Sequence, residues 1–147
     1  MFSLLKQRKK LKKTATLIGV EVHRQVKLAI DSKGSIFNNP DEIMYFTGYL
    51  DSFIAEGFRI LSCQAKGPRT KYIKMVCEGV LPGRLWPAYQ QADAALMFAT
   101  EGTKLEFIKA IKVNDLGIME GEKDALAFFN NDTAPSSLKN FLLNVGG

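Results

Sequence analysis

From Lys6 to Ile30 the chain reads KQRKKLKKTATLIGVEVHRQVKLAI, and the way this stretch coils decides the fold. Starting from Leu4, the apolar residues Leu11, Ala15, Ile18, Val22, Val26 and Ala29 advance by three, four or seven positions, the spacing of one helical face. A strand would also collect apolar residues, since Val20, Val22, Val26, Leu28 and Ile30 all occupy even positions. Arg24 interrupts that alternation, whereas the helical stripe runs on unbroken. The segment therefore reads as a long amphipathic helix that Gly34 brings to a stop.

The next segment opens on Asn38-Asn39-Pro40-Asp41-Glu42. Asn39 can accept from free backbone N–H groups, Pro40 suits the first helical position, and the two acids face the positive end of the helix dipole. Ile43, Phe46, Leu50, Phe53, Ile54, Phe58 and Leu61 then form a dense apolar stripe, and Gly57 is a position where a neighbouring helix could come close. Further helices are expected over Lys71 to Leu81, Pro87 to about Thr100, Thr103 to Asn114, Lys123 to Phe129 and Ser136 to Val145, with glycines and prolines between them. The helix after Trp86 carries Ala88, Ala92, Ala95 and Ala99 on one face, and no lysine or arginine lies between Arg84 and Lys104, a pattern that suits a largely buried helix. The expected architecture is all-α: a single helical domain over 1–147, an irregular bundle of about five to seven helices with a long amphipathic N-terminal helix, a basic end at 1–13 and loops at 34–40 and 64–70.

Composition narrows the class. With 147 residues, 46% hydrophobic and 24% charged, the chain has the make-up of a globular protein long enough to bury a core. No apolar stretch approaches the roughly 20 residues that cross a bilayer, and Ala15 to Val22 is too short for a secretory leader, so a cytoplasmic location is expected. Cys63 and Cys77 match neither a redox pair nor a zinc knuckle and read as small buried hydrophobes. The net charge of +5 is unevenly spread: up to Lys33 there are nine basic residues against Glu21 and Asp31. Basicity thus belongs to one end of the molecule, which points to a local contact.

That end supplies the principal candidate site. Lys6, Arg8, Lys9, Lys10, Lys12 and Lys13 put six positive charges into eight residues, which must face solvent or an anionic partner. Phosphate backbones and acidic lipid surfaces both reward such clusters, while a solvated helix end is the plain alternative. A second cluster, Lys66, Arg69, Lys71 and Lys74, sits where a loop opens a helix and is a possible anion-binding site, although it lacks the glycines and the ending of a phosphate loop. Tyr45 and Tyr49, with Ser52, Glu56 and Arg59, share a helical face off the main stripe; with Trp86 and Asp93 they could wall a small-ligand pocket, or they could form the core edge with hydroxyls reaching water. His23 is the lone histidine, and Glu21 points about 200° away around a helix, so they form no local acid–base pair. No metal-ligand spacing, cofactor motif or catalytic constellation is evident. The expectation is a non-enzymatic helical binding or adaptor protein whose basic end docks an acidic protein, with self-association, as a homodimer, through uncovered parts of the first helix's stripe. Direct nucleic-acid binding is the next reading, an anionic membrane surface a further one, and an enzyme or ligand carrier with the aromatic-lined pocket the last.

Overall fold

The computed structural model of the chain describes residues 2–33, 40–62, 69–81, 84–97 and 105–145. They form six helices and no strand: α1 (Phe2–Lys33), α2 (Pro40–Ser62), α3 (Arg69–Cys77), α4 (Leu85–Met97), α5 (Leu105–Asn131) and α6 (Ser137–Val145). The all-helical architecture and the long first helix are those that the apolar periodicity anticipates. Among the described residues, no helix is long and apolar enough to cross a membrane.

α2 is the axis of the assembly and touches each of the other five helices. Its first turn places Asp41 and Glu42 at the positive end of the helix dipole, where negative charge is favoured. Tyr45, Phe46, Tyr49, Leu50, Phe53, Ile54 and Phe58 are all buried, so apolar surface wraps nearly the whole helix. Burying each such large side chain is worth about 1.5–3 kcal/mol. α1 crosses α2 in the opposite sense: the space over Gly57 is filled by Ile18 and Phe129, and seven residues further along α1 Gln25 reaches back to Tyr49.

The α1 stripe of Ala15, Ile18, Val22, Val26 and Ala29 is covered inside the chain. These residues therefore offer no surface for the self-association expected of the exposed part of the stripe. The large apolar residues of α1 that stay exposed are Leu5, Leu17, Val20 and Leu28, which lie off that stripe.

α5 departs most from the sequence reading. Thr103–Asn114 and Lys123–Phe129 were expected as two helices, but one continuous helix runs from Leu105 to Asn131 through Gly117 and Gly121. Each glycine costs about 1 kcal/mol of local helix preference, and the α2 contact offsets it. A Cβ on Gly117 would overlap the Tyr45 carbonyl oxygen, one on Gly121 would meet Ser52 Oγ and the Tyr49 backbone, and one on Gly48 of α2 would overlap the Asn114 carbonyl. All three approaches are under 3.0 Å, closer than a real Cβ tolerates. Backbones therefore touch directly, and the contacts advance together from Gly48–Asn114 to Ser52–Gly121 to Phe53–Phe129, so α2 and α5 run parallel. Asn114 Nδ2 donates to the Met44 carbonyl at 3.0 Å and pins the start of this seam.

α4 is less enclosed than its alanines suggest. Leu85, Tyr89 and Ala92 are buried, but Gln90, Gln91, Ala94 and Ala95 face out. Its lack of lysine reflects glutamine and alanine on the outer side. Helix α5 ends in a left-handed Asp132 (φ 56°), whose N–H and that of Thr133 return to the Phe128 and Ala127 carbonyls.

Candidate functional site

Every charge of the basic run is exposed: Lys6, Arg8, Lys9, Lys10, Lys12 and Lys13 all project from α1. None of the six is ion-paired among the described residues, where the α1 pair is Arg24 with Glu21, three residues apart. That pair occupies Glu21, the nearest carboxylate on the helix, and the shared charge raises the Arg24 guanidinium above its ordinary value. Among the described residues, the run thus stands as unpaired positive charge along α1.

Beside it lies a groove of about 630 Å3 between α1 and the stretch from Met75 to Val80. Its α1 wall is set by spacing. Lys12, Thr16, Gly19 and His23 follow one another by four, three and four residues and so share one face, which Lys9 continues one turn earlier. The other wall is Met75, Val76, Gly79 and Val80. Gly19 leaves the floor open, since the space a Cβ would take there lies 3.4 Å from Val80 Cγ2. Val20 protrudes at the rim, 64% exposed. At the far end His23 Nδ1 lies 3.5 Å from the Val80 carbonyl oxygen, a distance at which any hydrogen bond is weak.

Gly19 sits against Val76 near the end of α3 and against Val80 beyond it, and His23 sits against Val80. Exposed Lys71 lies on α3 one turn before the wall residue Met75. Of the second basic cluster, Lys71 and Lys74 are exposed, Arg69 opens α3, and Lys66 lies outside the described residues.

The aromatic set falls in two places. Tyr45 and Tyr49 are fully buried against α5. Tyr45 donates to Glu120 Oε1 at 2.8 Å and stacks on Phe141 of α6 with ring centres 3.8 Å apart. Tyr49 lies 2.8 Å from Asp124 Oδ2 and 2.7 Å from the Gln25 amide. One hydroxyl carries one proton, and the carboxylate is the stronger acceptor, so Tyr49 donates to Asp124. The Gln25 amide oxygen is the second acceptor beside this hydroxyl, and its buried Nε2 has no partner among the described residues. Asp124 also accepts from the Ser137 N–H and hydroxyl, and thereby caps α6. Trp86 instead stacks on Tyr89 of α4, and Tyr89 donates to Asp51; Asp93 is half-buried on the same helix. Burial first, and the adjoining carboxylates second, push the Tyr45, Tyr49 and Tyr89 hydroxyls well above the ordinary phenol range. The hydroxyls expected to reach water bind buried or half-buried carboxylates instead, because glycine in α5 lets that helix close over the tyrosine face. Asp124 of α5, which ties α2 to α6 and meets α1 only through Tyr49, has no local sequence pattern that announces such a role.

Burial pushes the Cys77 thiol up to about 12, consistent with a small core hydrophobe; Cys63 lies outside the described residues. No cluster of metal-ligating side chains exists among the described residues. Compared with known proteins, the chain matches no family model, no curated protein and no solved structure.

Proposed function

We propose that this chain is a non-enzymatic helical binding protein that docks an acidic protein partner through the basic N-terminal half of α1. The observation that carries the reading is that all six cations of Lys6–Lys13 are exposed and form no ion pair among the described residues. An acidic surface would supply that charge, giving fast, salt-sensitive association. Nucleic acid is the weaker reading. Phosphates reward the charge but not the apolar groove beside it, and Lys139, the basic residue of α6, faces Arg24 and Pro135 in a small cleft of about 220 Å3 against α1. A cytoplasmic setting fits this proposal.

The test compares labelled polyglutamate, duplex DNA and phosphatidylserine vesicles as ligands for the wild-type chain and for Lys9→Glu/Lys10→Glu/Lys12→Glu/Lys13→Glu. The expected result is preference for the acidic polypeptide, weakening with salt, and loss of binding in the reversed variant. Absence of polyglutamate binding at low salt, or tighter binding of DNA or vesicles, would refute the reading.

A further inference from the structure

The groove between α1 and α3 adds a second kind of surface to the basic run, and the two are continuous. Lys9 and Lys12 lie on the α1 face that becomes Thr16, Gly19 and His23, and Lys12 lines the groove itself. One end of the α1 wall is therefore positive, and the rest is mostly apolar with an uncovered Val20 at its lip. Along α1, Lys12 to His23 spans about 17 Å at 1.5 Å per residue, three turns of helix. A channel between this face and the stretch from Met75 to Val80 matches the way an amphipathic helix lays its apolar face into a groove.

Resting on the acidic-partner reading above, we infer that the α1–α3 groove seats an amphipathic helix of the partner, its apolar side chains over Gly19, Val20 and Val80 and its carboxylates over Lys9 and Lys12. Charge complementarity selects this occupant. A second copy of the chain would bring another lysine run toward the first, and like charges facing one another oppose docking. A membrane would draw on apolar side chains standing proud among the lysines, as Leu5 and Leu17 do, but it would leave unused the part of the groove recessed between Gly19 and Val76, which a helix can fill.

The probe is a labelled peptide of about 14 residues with leucines at i, i+3, i+4 and i+7 and glutamates in both terminal turns, measured by fluorescence anisotropy. A scrambled peptide of equal charge and phosphatidylserine vesicles serve as further ligands. Two variants address the groove through exposed positions that carry no core packing: Val20→Glu places a carboxylate at the lip, and Thr16→Trp plugs the channel. Circular dichroism confirms that both keep their helix content. The expected result is binding of the amphipathic peptide by the wild type, with each variant weakening it by about tenfold or more, and clearly weaker binding of the scrambled peptide. Equal binding of the two peptides, or unchanged binding in Val20→Glu and Thr16→Trp alongside loss in Lys9→Glu/Lys12→Glu, overturns the groove inference and leaves the acidic-partner reading standing. Binding that survives the lysine reversal overturns both. Absence of peptide binding, or vesicle binding lost specifically in Val20→Glu, likewise overturns the inference, the latter in favour of a lipid surface.

Discussion

Replacing Gly117 by alanine should destabilise the protein, although alanine is the better helix former by about 1 kcal/mol. The new methyl would overlap the Tyr45 carbonyl oxygen and crowd the Tyr49 amide nitrogen 3.0 Å away, and both are backbone atoms that no rotamer change can move. The helices must part instead. Overpacking of this kind costs about 1–3 kcal/mol. Separation also stretches the bonds from Tyr45 to Glu120 and from Tyr49 to Asp124, each worth about 1.5–3 kcal/mol when formed to a charged group. Partial loss of those bonds plus the packing cost, less the gain in helix preference, leaves a net destabilisation of about 2–4 kcal/mol. For a chain of this size that corresponds to a Tm lowered by roughly 5–15 °C. Gly19→Ala is the internal control: its methyl meets Val80 Cγ2 at an ordinary 3.4 Å, so helix preference should dominate and stabilise by about 0.5–1 kcal/mol. Urea unfolding followed at 222 nm measures both. If Gly117→Ala stabilises as Gly19→Ala does, the α2–α5 seam is not the close backbone contact described above.

Alkaline pH should unfold the chain through its buried phenols. Unfolded tyrosines ionise near 10, while Tyr45, Tyr49 and Tyr89 are held neutral above that value in the fold. Stability is therefore intact below pH 10 and falls as pH rises beyond it, by about 1.4 kcal/mol per pH unit for each such tyrosine; phenolate absorbance rising gradually while helix content holds would contradict this. Asp124→Ala strips the Tyr49 hydroxyl and the start of α6 of their shared acceptor, at a cost of about 2–4 kcal/mol, and amide exchange in α6 should quicken more than in α3; equal changes in both would count against the capping role. Asp132→Gly relieves a left-handed backbone at an exposed site and should stabilise by about 0.5–1 kcal/mol, which a loss of stability on thermal melting would disprove.

What the sequence made legible is what local chemistry controls. The three-and-four spacing of Ala15, Ile18, Val22 and Val26 foretells α1, and Pro40, Asp41 and Glu42 mark the start of α2 to the residue. The continuity of α5 was hidden because glycine argues against a helix locally. Its justification lies on another helix, at Tyr45 and Tyr49, some seventy residues away in sequence. The tyrosine face misled for the same reason: whether it meets water or α5 depends on Gly117 and Gly121, not on anything near Tyr45. The exposed lysines of α1 could be named in advance. The groove beside them could not, since it exists only where the stretch from Met75 to Val80 leaves Val20 uncovered beside buried Gly19.

The parallel pairing of α2 with α5 has a consequence for how the protein comes into being. Tyr45 finds Glu120 only across 75 residues, so the seam is a long-range contact that late-arriving chain must complete. At a ribosomal pace of about 5–20 residues per second, the oily side of α2 waits roughly 4–15 seconds for its glycine-bearing mate to be synthesised. During that interval the nascent chain displays tyrosine and phenylalanine to solvent, and a chaperone that shields it has a task with a defined end: the emergence of Gly121.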